Sequence, residues 1–188
     1  MPSPSPGPHH SSSRKEKIDK VEKLLIDSGV SKAPVPVDRI ARHLNIEVRY
    51  SPTREDVSGA LVVKDGAAFI AVNDAHHENR QRFTIAHEIG HFQLHNAGEQ
   101  VHFDEDFRVY GRNKNSSLAT DPQEIEANRF AAELLMPQKF LFDDFSGIKG
   151  DQEEVVARLA KRYKVSPQAM EYRLANLGLL VPSFDPQS

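Results

Sequence analysis

The chain has 188 residues, of which 38% are hydrophobic, and its formal net charge is −3 with neutral histidines. This length and apolar content support one compact domain with a real core, and the small net charge gives no overall electrostatic signature of a nucleic-acid-binding protein. The absence of cysteine excludes disulfides and thiolate metal sites, and the sequence contains neither an apolar run of membrane-spanning length nor the apolar segment of a signal peptide, which makes the cytoplasm the predicted location.

Residues 1–14 form a proline- and serine-rich tail that opens with MPSPSPGPHHSSS and is predicted to be disordered, because such a composition cannot bury apolar surface. From residue 15 onward, apolar residues recur at helical spacing and predict a first helix that ends near Gly29 and a second that begins at Val37. The segment 46–50 then alternates between apolar and polar residues, which predicts a strand.

Two apolar runs follow, over residues 59–63 and 67–72, and they flank Asp65 and Gly66. Short apolar runs joined by Asp-Gly turn chemistry predict a β-hairpin. Together with the preceding strand, the hairpin predicts a short antiparallel sheet.

The segment RFTIAHEIGHFQL, residues 82–94, carries the pattern His-Glu-x-x-His within a predicted helix. One turn of α-helix covers 3.6 residues, so His87 and His91 share a face. Neutral imidazole nitrogens are good zinc ligands, and Glu88 on the same turn can take a proton from water activated by the metal, which is the outline of a hydrolase site. Gly90 is unfavourable in a helix by about 1 kcal/mol, which indicates that another backbone or a substrate comes close. The alternative is a core helix with two incidental histidines.

A catalytic zinc site needs a third protein ligand and an open position for water. Ala97 stands where a metzincin would place its third histidine. His95 lies one turn beyond His91, but ligands on three successive turns of one straight helix cannot converge on a tetrahedral ion. The remaining option is a carboxylate from a second helix.

The segment 96–120 contains glycines, polar residues and a short apolar patch, and it is predicted to be mostly a loop. Its length makes a cleft wall or a mobile lid plausible. His95, His102 and Tyr110 are candidate donors to the oxyanion that forms when a peptide carbonyl is attacked, because imidazole and phenol groups suit that task. The alternative for each is a surface aromatic or a histidine that serves the loop.

The segment 121–137 predicts the second helix, with an N-cap aspartate, a proline in the first turn and a proline that ends it. Glu124, Asn128 and Ala131 share one stripe of this helix, and the small alanine allows a neighbouring helix to approach closely. Glu124 can therefore bind the metal, and Asn128 can hydrogen-bond a ligand histidine. Glu126 points about 160° away from the stripe and is predicted to be solvated.

The C-terminal segment 151–182 predicts two helices joined by a short turn, an arrangement that is similar to a helix-turn-helix. Between Val155 and Val181 there are five basic residues and one acidic residue, a local balance of +4, so DNA binding is conceivable. However, Lys164 occupies the turn where such motifs usually place glycine, and no basic cluster marks the start of the second helix. We therefore favour a helical pair packed on the domain formed by residues 15–150.

The segments RFTIAHEIGH (82–91) and EIEANRFAAELLMP (124–137) resemble the two signature helices of the ImmA/IrrE family of zinc metallopeptidases. The resemblance extends from about Val35 to Leu180. It implies that His87, His91 and Glu124 bind Zn²⁺ and that Glu88 is the general base. It also implies an α+β metallopeptidase-like domain, with the short sheet, the His-Glu-x-x-His helix, the second ligand-bearing helix and the C-terminal pair.

Members of this family typically cleave a helix-turn-helix repressor encoded nearby, in mobile-element or stress-response settings. The resemblance therefore implies a zinc-dependent endopeptidase that relieves repression by cutting such a protein, with no membrane partner. We further hypothesise that one strand of the hairpin is the sheet edge on which the substrate docks, although the hairpin can equally serve only to cover the core. The alternative function is a non-catalytic regulator that binds DNA or a repressor and has a structural zinc site.

Overall fold

The computed structural model describes residues 9–52, 57–95, 100–105 and 121–180, with backbone alone for 9–17 and 100–105. The fold is α+β, as predicted. Its elements, in chain order, are α1 (His9–Asp27), α2 (Val37–His43), β1 (Ile46–Ser51), β2 (Val57–Lys64), β3 (Ala67–Asn73), α3 (Glu78–His95), β4 (Gln100–Glu105), α4 (Pro122–Leu135), α5 (Gln138–Ser146), α6 (Gln152–Tyr163) and α7 (Pro167–Asn176).

The described strands form one sheet in the order β1-β3-β2-β4. The predicted hairpin is confirmed: β2 and β3 are antiparallel, and Asp65 and Gly66 between them have φ angles of +50° and +75°, as a two-residue turn with left-handed residues requires. The sheet as a whole is mixed rather than purely antiparallel, because β1 pairs with β3 in parallel. The next strand in the chain, β2, is separated from β1 by β3 in the sheet. The alternation of apolar and polar residues predicts a strand but not its direction relative to its neighbours.

The hairpin strands are the two interior strands of this sheet, since β3 pairs with β1 and β2 pairs with β4. Their backbone groups are therefore committed to neighbours on both sides. The hypothesis that a substrate docks on an edge of β2 or β3 is wrong, and the edges among the described strands are those of β1 and β4.

The predicted loop over 96–120 contains a strand, β4, which pairs antiparallel with β2. Val101 and Phe103 are the apolar patch of that segment and lie at alternate positions of β4, opposite Val62 and Ala60 of β2. A run of two alternating apolar residues is too short to predict a strand, and its pairing with an existing sheet decides its structure. The rest of the predicted lid lies outside the described residues.

Two helices differ from their predictions. α1 begins at His9, so residues 9–14 are helical where the tail was predicted to be disordered; no proline occurs in the sequence between His9 and Asp27 to interrupt a helix. α5 was not predicted at all, and only Leu141 of its residues is buried. Phe140 and Phe145 of this nine-residue helix also pack, partly buried, against the core.

The C-terminal pair α6–α7 contributes buried residues to the same hydrophobic core as α1, α2, α3 and α4. The largest of them, Tyr163, is fully buried and donates a hydrogen bond from its hydroxyl to Asp144 at 2.7 Å. Arg82 of α3 donates to the carbonyl oxygens of Val35 at 2.9 Å and Lys164 at 3.4 Å, which ties the turn between α6 and α7 to the centre of the domain. Within the described residues, no helix is long and apolar enough to cross a membrane.

Candidate metal centre

Helix α3 is buried from Thr84 to His91 because it is covered on two sides, by the sheet and by α4. On the sheet side, a Cβ atom at Gly59 of β2 would lie 2.4 Å from Thr84 Cγ2 and 2.7 Å from the Ala71 carbonyl oxygen. Only glycine permits this close approach, which sets the distance between α3 and the sheet. This explains why apolar residues occupy more than one face of the helix.

On the other side, α3 and α4 make their close contact at Gly90. A Cβ atom there would lie 3.1 Å from the Ala127 carbonyl oxygen and 3.2 Å from the Ala127 Cα atom. The approaching group is therefore the backbone of α4, as the helix-disfavouring glycine indicated. Small residues at the crossing bring the two helices close enough for their side chains to meet on either side of it.

The local sequence also fixes the position of α4. Asp121 is its N-cap, and the Asp121 carboxylate accepts a hydrogen bond from the backbone N–H of Gln123 at 2.8 Å. Pro122 occupies the first turn, and the helix ends at Leu135, two residues before Pro137. These predicted boundaries are confirmed, and they place Glu124 in the first turn of the helix.

The structure brings His87, His91 and Glu124 together, with one donor atom of each lying within 4.8 Å of the others. The His87 and His91 Nε2 atoms are 3.0 Å apart. Glu124 Oε2 lies 3.3 Å from His87 Nε2, and Glu124 Oε1 lies 3.2 Å from His91 Nε2. The two imidazoles are almost fully buried, and the glutamate side chain is 13% exposed.

The chemistry of this donor set fits a zinc ion. Ligand atoms at zinc distances of 2.0–2.2 Å in tetrahedral geometry lie about 3.3 to 3.6 Å from one another, and the separations of 3.0 to 3.3 Å in this site are within a few tenths of an ångström of that range. When both imidazoles carry their hydrogen on Nδ1, their Nε2 atoms are acceptors like the carboxylate, and a metal cation among the three groups would satisfy all of them. Three protein ligands leave the fourth position of a tetrahedral ion open to water.

Glu88 is fully buried on α3, between the two histidines in sequence. A fully buried glutamate is rare in proteins unless it has a specific partner or a chemical task. Whether Glu88 acts as a general base remains a prediction.

Three other residues were predicted to contribute to the site. Asn128 lies half-buried on α4, and its Oδ1 atom is buried without a hydrogen-bond partner, so this atom makes no bond to a ligand histidine. His102 lies on β4 opposite Leu61, with its side chain outside the described part of the chain. Tyr110 lies outside the described residues altogether, and the oxyanion donor therefore remains a prediction.

His95 and Glu126 form a contact that the sequence did not predict. Glu126 was expected to be solvated; its side chain is 38% exposed, but its Oε2 atom also lies 3.2 Å from His95 Nε2. His95 Nδ1 in turn lies 3.2 Å from His91 Nδ1. Both ring nitrogens of His95 thus face protein atoms, which argues against its predicted role as an oxyanion donor. A helical wheel of α4 alone missed Glu126, since the close crossing at Ala127 brings the residues beside it within reach of α3.

Comparison with known proteins identifies the family. Residues 41–175 match the model of the IrrE N-terminal-like domain, a peptidase family. The uncharacterized immunity region protein 2 of Bacillus phage phi105 is 26% identical over 125 residues, which cover 62% of this chain and 73% of the phage protein. Metallopeptidase ImmA of Bacillus subtilis (strain 168) is 31% identical over 98 residues, which cover 52% of this chain and 51% of ImmA.

A Mycobacterium tuberculosis transcriptional regulator has a similar solved structure, with a TM-score of 0.56 and 17% identity over 85% of this chain. At that identity the likeness concerns the fold alone. The chain spans about half the length of ImmA and 46% of the mycobacterial chain. The family match covers well over half of the sequence and includes both helices that carry the histidine and glutamate cluster. The chain therefore belongs to the ImmA/IrrE family of metallopeptidases.

Proposed function

We propose that the chain is a zinc-dependent endopeptidase, in which His87, His91 and Glu124 bind Zn²⁺ and Glu88 is the general base. The observation that carries this proposal is the convergence of three potential ligand atoms from two helices, two of them on buried histidines, at separations close to those of a tetrahedral ion. The same nitrogen and oxygen ligands also accept Mn²⁺ or Fe²⁺, and the proposal of zinc follows from the ligand number and the family.

When bound, the metal supplies a Lewis acid that polarises a peptide carbonyl and activates water near neutral pH. Glu88 takes the proton of the attacking water and delivers it to the nitrogen of the leaving amine. Its complete burial keeps bulk water away from this proton transfer. His87 and His91, held at one helical turn from each other, fix the metal relative to Glu88.

The proposed substrate is a helix-turn-helix repressor encoded near the gene for this chain, acting in the cytoplasm. Membership of the ImmA/IrrE family supports this substrate, and so does the similarity to a phage protein from an immunity region. An extended segment of the substrate can pair with a free sheet edge, and β4 and β1 provide the edges among the described strands.

The C-terminal helices offer little support for the alternative function of a DNA reader. Four of their five basic side chains contact the protein itself. Arg162 pairs with Asp144 at 2.8 Å, Lys164 pairs with Glu78 at 2.7 Å, and Arg173 is buried against α4. Arg173 is therefore poorly placed to neutralise a phosphate, which is the main source of DNA affinity, and the carboxylates of Asp144 and Glu78 offset the positive charge of Arg162 and Lys164.

Two variants test the proposal against a non-catalytic regulator. Zinc content and cleavage of the co-encoded repressor are measured for the wild type, Glu88→Gln and Glu124→Ala, with the exposed Glu22→Gln as the matched control. We expect Glu88→Gln to keep zinc and to lose cleavage by about 10²- to 10⁴-fold, because only the proton acceptor is removed. Glu124→Ala should lose both zinc and cleavage. Cleavage by Glu88→Gln at the wild-type rate would contradict the proposal, and so would a wild-type protein that binds no metal.

A further inference from the structure

We propose that His95 and Glu126 are positioning residues, which orient the His91 ring toward the metal and fix its tautomer through a chain of hydrogen bonds. This inference rests on the proposed metal site, with His91 Nε2 as a ligand atom. It concerns two residues outside the ligand set, one on each of the two helices that form the site.

The contacts run in a single line away from the site. His91 Nε2 faces His87 and Glu124, and the opposite nitrogen of the same ring, Nδ1, lies 3.2 Å from His95 Nδ1. The other nitrogen of His95, Nε2, lies 3.2 Å from Glu126 Oε2. Each ring thus uses one nitrogen toward the site and the other away from it.

The positions of the protons follow from this geometry. A neutral imidazole carries one N–H hydrogen, and a nitrogen that binds a metal carries none, so the His91 hydrogen is on Nδ1. His91 Nδ1 then donates to His95 Nδ1, which leaves the hydrogen of His95 on Nε2. His95 Nε2 donates to the carboxylate of Glu126, which is a pure acceptor. This arrangement gives every contact one donor and one acceptor while leaving His91 Nε2 free for the metal.

Burial protects the hydrogen bond that lies nearest to the metal site. The His95 side chain is 9% exposed, so water cannot readily compete for His91 Nδ1. The Glu126 side chain is 38% exposed, so its charge stays partly hydrated and does not carry the full cost of a buried ion. Partners of this kind orient a ligand histidine and raise its basicity as a metal ligand.

The hydrogen bond between His95 and Glu126 also joins α4 to α3 at a second point, beside the contacts of Glu124. Glu124 provides a ligand atom, and Glu126, two residues later, reaches a histidine one turn beyond His91. Both contacts lie on the same side of the crossing, because Glu124 and Glu126 precede Ala127 on α4 while His91 and His95 follow Gly90 on α3. The same pair of helices therefore supplies both the ligands and the support of one ligand ring.

The test compares two substitutions of His95 that differ in one hydrogen bond. His95→Leu removes both ring nitrogens, whereas His95→Asn places an amide oxygen close to the position of Nδ1 and can still accept from His91. The dissociation constant for zinc is measured by competition with a chromophoric chelator, and Co²⁺ loaded in place of zinc reports the ligand geometry through its visible absorption. His43→Leu, at an exposed position of α2, is the matched control.

We expect His95→Leu to raise the zinc dissociation constant by about 10- to 100-fold and to change the Co²⁺ spectrum. His95→Asn should recover most of the affinity, and Glu126→Gln should raise the dissociation constant several-fold because a neutral amide is a weaker acceptor than a carboxylate. The free energy of unfolding of the metal-free variants should change much less than their zinc affinity. His43→Leu should match the wild type.

Several outcomes would overturn the inference while leaving the metal site intact. Wild-type zinc affinity and Co²⁺ spectrum in Glu126→Gln and His95→Leu would show that the contacts do not support His91. Losses in His95→Asn equal to those in His95→Leu, or losses that only follow the stability of the metal-free protein, would show a merely structural role. If His95→Leu fails to fold, the half-exposed Glu126→Gln and His95→Asn decide the result. A wild-type protein that does not bind zinc would instead defeat the proposed function.

Discussion

The two ends of α4 each carry a buried cluster of polar side chains, and the two clusters differ in their balance of donors and acceptors. Near the C-terminal end, Glu133 Oε1 accepts a hydrogen bond from the backbone N–H of Gln138 at 3.0 Å, and Glu133 Oε2 pairs with Arg173. Arg173 Nε also donates to the Met136 carbonyl oxygen at 3.1 Å. Each of these contacts joins a donor to an acceptor, so the cluster is complete without any added group.

Near the N-terminal end, a carboxylate, which only accepts, meets two imidazole nitrogens, which accept whenever they carry no hydrogen. The Nε2 atoms of His87 and His91 and both oxygens of Glu124 meet within 3.3 Å, and hydrogen bonds cannot satisfy them unless a proton or metal ion lies among them. Burial is similar in the two clusters. The comparison teaches that the donor-acceptor balance, rather than burial, distinguishes a structural ion pair from a metal site.

The largest expected change in stability is at the cluster of Glu133, Gln138 and Arg173, in which every donor meets an acceptor. Arg173→Met should lower the free energy of unfolding by about 3–5 kcal/mol, because it leaves the Glu133 carboxylate buried without its counterion. Arg158→Met is the matched control, since that side chain is exposed and makes one hydrogen bond to the Lys149 carbonyl oxygen. Denaturant unfolding of the metal-free proteins measures both. Equal losses in the two variants would show that the buried pair has no special weight.

Zinc should stabilise the folded protein by binding to the cluster of His87, His91 and Glu124, and not through the cluster of Glu133 and Arg173. At a free zinc concentration 100-fold above the dissociation constant, the free energy of unfolding should rise by about 2.7 kcal/mol, because only the folded state holds the site. Glu124→Gln should lose most of this increase, whereas Arg173→Met should keep it despite its lower starting stability. Thermal and denaturant unfolding with and without zinc measure the increments. The same increase in Glu124→Gln as in the wild type would mean that zinc binds elsewhere.

The crossing between the helices gives a smaller effect. In Gly90→Ala the new methyl group meets the backbone of Ala127 at 3.1–3.2 Å, which cannot move as a side chain can. We expect a net loss of about 1 kcal/mol, since the cost of overpacking exceeds the gain in helix propensity. Zinc affinity should fall as well, because α3 and α4 must separate. Gly147→Ala is the control, as its methyl group meets nothing closer than 3.9 Å; equal behaviour of the two variants would contradict the close crossing.

Local chemistry explains what the sequence could predict. The ends of α4 follow from Asp121, Pro122 and Pro137, and the hairpin turn follows from Asp65 and Gly66. The spacing within one helix placed His87 and His91 on one face, and the stripe on α4 selected Glu124 as their partner, which the structure places beside them. Each of these inferences needs only neighbours within a few residues.

The features that could not be predicted depend on partners far away in the chain. β4 is a strand because β2 offers it hydrogen bonds, and β1 is parallel because of its position beside β3. Glu126 contacts His95 because Gly90 lets the two helices approach closely, a distance that no helical wheel contains. The complete cluster of Glu133 and Arg173 joins residues 40 apart in sequence for the same reason.

The smallest expected effect compares the buried ion pair with an exposed one that holds the same helical pair. Lys164 lies between α6 and α7 and donates to Glu78 at the start of α3 at 2.7 Å, with both side chains about half exposed. This hydrogen bond and charge lower the pKa of Glu78 below its usual 4.5. A lowered pKa in the folded state means that the stabilisation is present above pH 4.5 and is lost as the pH falls through the lower folded value.

Glu78→Gln should therefore be slightly less stable than the wild type near neutral pH, and the difference should shrink as the pH falls below 4.5. Solvent and salt screen an exposed pair, so the difference should be far smaller than that for Arg173→Met and should decrease at high ionic strength. Unfolding of both proteins across this pH range, with Lys164→Gln and the double variant, separates the pair from the favourable effect of an acidic residue in the first turn of α3. A difference that is independent of pH would mean that Glu78 acts through contacts other than its charge, and its ion pair with Lys164 would then contribute nothing to the attachment of the C-terminal helices.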